Sequence, residues 1–147
     1  MTELTPELAE LVAAARAVRQ RAYAPYSKFK VGAALRSSRG DVFSGCNVEN
    51  ASYGGTICAE RSAVLAMVAN TPRPESASAT WRPTLTEIAV FTDAAELAMP
   101  CGLCRQVLAE FAGSALVIVA NPHSQRVIRF SDLFPEPFSL TPESDAR

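Results

Sequence analysis

The chain has 147 residues, with 14 Lys and Arg against 15 Asp and Glu, and a formal net charge of −1 at pH 7. Its basic residues are scattered and matched by acids, which argues against the basic face that a nucleic-acid backbone requires and points to a small ligand. Hydrophobic residues at 48% and charged residues at 20% are ordinary globular usage, and one domain over 1–147 is expected.

Taken in chain order, Leu8, Leu11, Val12, Ala15, Val18 and Ala22 recur at helical spacing, predicting a helix from about 5 to 23. Thr5 suits its N-cap and Pro6 its first turn. Pro25 disfavours a helical Ala24 and ends it. Val31 to Leu35 and Asp41 to Cys46 read as strands joined by a turn through Gly40. Residues 47–56, rich in Asn, Gly and Ser, read as a loop. A second helix is expected from Cys58 to about Ala69; it is apolar on most sides and so expected to be largely buried. Residues 70–83 carry three prolines and read as an exposed loop. Thr86 to Thr92 is a strand, and Ala94 to Met99 a connection. A third helix starts near Cys101 and ends near Gly113, a residue suited to a C-cap. Leu116 to Ala120 is a continuous apolar run, hence a buried strand. Residues 121–124 turn the chain into a strand from Val127 to Phe130. Beyond it Pro135, Pro137 and Pro142 predict irregular structure, with a tail from about 139 to 147. Helices alternating with strands predict an α/β fold: a three-layer α/β/α sandwich on a mixed sheet of about five strands.

No apolar run approaches the ~18 residues that a membrane-spanning helix needs. The acidic opening MTELTPELAE lacks the basic and apolar regions of a secretory signal. We therefore expect a cytoplasmic protein with no membrane partner. In that reducing compartment its four cysteines point to metal or catalysis, not disulfides.

Cys101-Gly102-Leu103-Cys104 at a helix start is by itself ambiguous: a redox pair, half of a zinc ribbon, or two buried thiols. Cys58-Ala59-Glu60 upstream changes the reading. Three cysteines supply three zinc ligands, which matches catalytic sites that keep a fourth position open for water. Glu60, two residues after the first ligand, can point into the same pocket without reaching the metal and serve as proton shuttle. The pattern Cys58-Ala59-Glu60 … Pro100-Cys101-Gly102-Leu103-Cys104 is the three-cysteine form of the zinc deaminase signature. Arg61 is expected to hydrogen-bond the ligand sulfurs and draw charge from them. Cys46, outside the ligand pattern, reads as a buried apolar residue. His123, the only histidine, sits in a turn with no catalytic part.

From about Ala22 to Phe138 the chain resembles the small homotetrameric, zinc-dependent cytidine deaminase family. The likeness rests on Tyr23-Ala24-Pro25-Tyr26-Ser27-Lys28-Phe29, Val31-Gly32-Ala33-Ala34, Gly45-Cys46-Asn47-Val48-Glu49-Asn50, Cys58-Ala59-Glu60-Arg61, Pro100 to Val107, and Leu133-Phe134-Pro135-Glu136-Pro137-Phe138. It implies one Zn(II) per subunit held by Cys58, Cys101 and Cys104, with catalytic Glu60. It also implies that Asn47 and Glu49 hold the ribose 3′-hydroxyl, that Phe29 stacks near the base, and that Ala59 and Glu60 read the ring's amide edge. Phe138 would reach the active site of a neighbouring subunit. The implied reaction is hydrolytic deamination of free cytidine and deoxycytidine in pyrimidine salvage. The chain departs from the family at Met99, where many relatives have serine, at Leu103 for alanine, at Phe134 for leucine, and in a longer 70–83 loop. The competing readings are deamination of another amino-pyrimidine nucleoside such as blasticidin S, a zinc-holding binding module without catalysis, and a C-x-x-C redox protein.

Overall fold

The computed structural model describes residues 3–140. Helix α1 spans Pro6–Arg19, with Pro6 in its first turn and the Thr5 hydroxyl accepting the Leu8 amide at 3.4 Å. It ends earlier than the apolar periodicity predicts. Arg21 and Ala22 donate to the carbonyls three residues back, Val18 and Arg19, and this tightening closes the last turn. Tyr23 then leaves to bridge Val48, its amide bonded to the Asn47 carbonyl at 3.0 Å.

Strands β1 (Val31–Ser37) and β2 (Val42–Cys46) form the antiparallel hairpin, with Gly40 at φ 90 in its turn. After helix α2 (Ala59–Asn70) and the loop beyond it, β3 (Leu85–Thr92) pairs antiparallel with β1. Helix α3 (Gly102–Ala109) is the crossover that brings β4 (Leu116–Ala120) parallel to β3, the connection a parallel pair requires. β5 (Gln125–Arg129) returns antiparallel, giving the order β2-β1-β3-β4-β5.

Alternation along the strands divides the core by the two-residue period of a sheet. Ala34, Ala89, Phe91 and Ile118 pack with Leu8, Leu11 and Ala15 of α1. Ala33, Leu35, Ile88, Val90, Val117 and Val119 pack with Ala63, Val64 and Met67 of α2 and Leu108 of α3. The expected three layers and five-stranded mixed sheet are thus present. The helices lie directly on strand backbone at two glycines. A Cβ on Gly32 would stand 1.9 Å from the Ala15 carbonyl oxygen, and one on Gly45 would stand 2.4 Å from the Ala63 nitrogen.

Three expectations need correction. β5 stops at Arg129, and Phe130–Leu133 forms a short helix, α4. Phe130 is buried and meets Phe134 edge-on at 6.4 Å, while its amide bonds to the Ala115 carbonyl; an apolar anchor turns the chain where a strand was expected to continue. Helix α2 is not largely buried: Leu65 and Val68 are 59% and 44% exposed, because the sheet covers only one side of it. Cys46 is half-buried, not buried. No helix of the described residues is long and apolar enough to cross a membrane.

Candidate active site

Cys58 is the N-cap of α2 and Cys101 the N-cap of α3, both with extended backbone and neither using its side chain as a cap. Their sulfurs are therefore free for other work. Cys104 follows in the first turn of α3 and is buried. The three sulfurs lie within 4.8 Å of one another, with Cys58 and Cys101 3.9 Å apart. Tetrahedral zinc with bonds of about 2.3 Å sets its sulfurs about 3.8 Å apart, so the spacing fits, and soft thiolates select such a metal.

The surroundings favour thiolate. Two helix N-termini direct backbone N–H groups and positive dipole ends at the cluster. Arg61 Nη2 approaches Cys58 Sγ at 3.7 Å and donates to the Thr56 carbonyl at 3.0 Å. The Cys58 thiol is drawn down to about 5, first by its hydrogen bond with Cys104, against the cost of burial, and then by Arg61. Cys104 is pushed up by the same bond and by burial.

Glu60, in the first turn of α2, is only 5% exposed. Burial raises its carboxyl pKa, a hydrogen bond to its own backbone opposes that, and the Cys58 charge raises it further. Glu60, Cys58 and Cys101 line one cleft of about 230 Å³, together with Phe29, Asn47, Glu49 and Ala59.

Asn47 and Glu49 are anchored before any ligand arrives. Asn47 Nδ2 donates to the Phe29 carbonyl and its Oδ1 accepts the Val31 amide, both at 2.8 Å. Glu49 accepts the Tyr26 amide at 2.9 Å, the Ser27 amide and the Ser27 hydroxyl. The Ser27 hydroxyl in turn accepts the Phe29 amide at 3.0 Å. These bonds hold the 26–31 segment against the loop after β2, and Lys28 takes φ 60 within it. The Ser27 hydroxyl holds the Glu49 carboxyl below its ordinary range, outweighing burial.

Residues 6–120 match the family model described as "Cytidine and deoxycytidylate deaminase zinc-binding region". The chain belongs to that family. A cytidine deaminase of Mycobacterium tuberculosis (strain H37Rv) is 44% identical over 119 residues, covering 81% of this chain and 80% of that protein. One from Halalkalibacterium halodurans is 39% identical over 137 residues, covering 92% and 96%. The crystal structure of cytidine deaminase from Burkholderia pseudomallei aligns with a TM-score of 0.78 at 43% identity, covering 92% of this chain and all (100%) of that one. With the family's zinc-binding region spanning Cys58 and Cys101, the three-sulfur cluster is a zinc site, one per chain.

The structure brings Cys58, Cys101, Cys104, Glu60, Phe29, Asn47, Glu49 and Ala59 to one place, and Arg61 touches the cluster. Phe138 does not join them: it is 69% exposed, with its carbonyl held by Gln106 Nε2 at 2.8 Å. Sequence reasoning missed Ser27, Thr56, Val90, Thr92 and Ala98 as cleft residues. For Ser27 a local signal was available, since a serine that bonds the amide two residues on is a turn former.

Proposed function

We propose that this chain converts free cytidine and deoxycytidine to uridine and deoxyuridine by hydrolysis, releasing ammonia, as a step of pyrimidine salvage. The observation that carries the reading is a buried Glu60 beside three zinc-ligating sulfurs in one cleft. The cytidine deaminases named above support the substrate class. Among the described residues, those lining the cleft include Glu49 and Glu60 but no lysine or arginine, which favours a free nucleoside over its phosphate.

Zinc bound at Cys58, Cys101 and Cys104 supplies a Lewis acid that lets water act as a nucleophile at neutral pH. Glu60 takes a proton from the attacking water and delivers it to ring nitrogen 3. It then carries a proton to the leaving amino group, so that ammonia departs as the carbon–nitrogen bond breaks. Phe29 forms a wall for the base, and Ala59 and Glu60 meet its amide edge. Glu49, with three hydrogen bonds already accepted, keeps acceptor capacity for a sugar hydroxyl; Asn47 keeps one N–H donor. Arg61 steadies the thiolate charge.

The working form in this proposal is a homotetramer in the cytoplasm, where reducing conditions leave the thiols free for metal. Exposed Tyr53, Leu65, Val68, Leu103 and Phe138 support burial between subunits, with Phe138 reaching a neighbour's cleft. The test is Glu60→Gln: zinc content is expected to stay at one per chain while turnover falls by roughly 10²–10⁴-fold or more. Near-normal turnover would remove Glu60 from the mechanism.

A further inference from the structure

The active cleft has two ends, and they differ. At one end Ser27, Glu49 and Thr56 are shared with a neighbouring hollow of about 310 Å³ bordered by Tyr26 and Tyr53. At the other end a cavity of about 520 Å³ is bordered by Arg105, Arg126, Ile128 and Leu133 among others, and Met99 alone lines both it and the cleft. Met99 stands two residues before the zinc ligand Cys101 and lines the cleft with it, whereas the carboxylate proposed to hold the sugar, Glu49, lines the part shared with the Tyr26 and Tyr53 hollow. In a pose with the sugar at Glu49 and the reacting carbon at the sulfurs, Met99 is the cleft side chain beside Cys101 that can meet the amino nitrogen.

The wall is held in place. Arg105 Nε donates to the Pro100 carbonyl at 2.8 Å and Nη1 to the Leu133 carbonyl at 3.1 Å, which ties the segment after Met99 to α4. Met99 is 36% exposed and lines both spaces, so it is not packed into the core.

We propose that Met99 determines how large a group the leaving nitrogen can carry. With methionine the cleft ends at an unsubstituted amino group. With a shorter side chain it opens into the cavity behind and accepts N4-alkylated cytidines. The chemistry is unchanged: water adds its oxygen to ring carbon 4, one of its protons goes to ring nitrogen 3 and the other to the leaving nitrogen, the carbon–nitrogen bond breaks, and methylamine leaves in place of ammonia. This inference rests on the proposed deaminase reading.

The experiment compares kcat/KM for cytidine and N4-methylcytidine in the zinc-loaded parent, Met99→Ala and Met99→Leu. One carbon in an apolar pocket is worth ~10–200-fold in discrimination. The ratio of N4-methylcytidine to cytidine is expected to rise about tenfold or more in Met99→Ala and to stay within about twofold of the parent in Met99→Leu. Calorimetry on the same variants combined with Glu60→Gln should show N4-methylcytidine binding gained in step. If Met99→Ala does not fold, Met99→Val takes its place with a smaller rise in the same direction. A ratio unchanged in the shortened variants, with cytidine still turned over, overturns the role of Met99 and leaves the deaminase reading intact. A parent that does not turn over cytidine overturns both.

Discussion

Replacing Asn47 with alanine should destabilise the fold as well as the site. Asn47 is 8% exposed and its amide closes two 2.8 Å hydrogen bonds, to the Phe29 carbonyl and from the Val31 amide. Truncation leaves both backbone groups without that partner. A buried group left unpaired costs about 1–3 kcal/mol. The Phe29 carbonyl belongs to a residue 45% exposed, so water recovers part of its loss, and about 2–4 kcal/mol in total is expected. Urea unfolding of the zinc-loaded protein reads this as a lower midpoint at unchanged slope. KM for cytidine should rise in parallel, because the Phe29 wall is no longer fixed. Asn47→Asp separates the two bonds. It keeps the acceptor for Val31 but sets a carboxylate against the Phe29 carbonyl, which raises its pKa, so this variant should regain stability as pH falls and the carboxyl becomes a donor. A midpoint for Asn47→Ala within about 0.5 kcal/mol of the parent would refute the clamp.

Other consequences are equally open to measurement. Gly45→Ala should cost about 1–3 kcal/mol or more by overpacking, since its Cβ would meet the Ala63 nitrogen at 2.4 Å, whereas Gly54→Ala, with nothing within 4 Å, should leave the urea midpoint unchanged. Arg61→Gln should weaken zinc by ~10–100-fold in chelator competition; unchanged affinity would show that its contact with Cys58 does not matter to the metal. In the metal-free protein, Glu60 binds its proton more tightly folded than unfolded, because burial raises its pKa above the ordinary 4.5. Its contribution to stability is therefore lost as pH rises above that value and through the folded pKa. Glu60→Gln should gain stability over the parent across that rise, and a gap that does not change with pH would contradict the burial of the carboxylate.

Much of this site was legible because its chemistry is written in local spacing. Cys58-Ala59-Glu60 and Pro100 to Cys104 each sit at a helix start, so the helix geometry alone sets two thiolates at N-caps and Glu60 in a first turn. The strands were legible for a related reason: Leu116 to Ala120 is buried on both faces, and a continuous apolar run says so. What stayed hidden depends on contacts distant in sequence. That Asn47 spends two bonds on Phe29 and Val31, or that Ser27 meets Glu49, follows only once the hairpin brings the 26–31 segment beside the loop after β2. The turn into α4 was missed because Phe130 continues an apolar strand pattern until its anchor under Ala115 is known. The exposure of Leu65 and Val68 was missed because an all-round apolar helix does not declare which neighbour covers each side.

The most direct test of the account is the ultraviolet spectrum of cytidine incubated with the protein carrying one zinc per chain, with ammonia assayed in the same sample. We expect the cytosine band to fall and ammonia to appear in equal amount, for deoxycytidine as well, and deoxycytidine monophosphate to react far more slowly. An unchanged spectrum with zinc bound would contradict the assignment of this cleft to cytidine deamination.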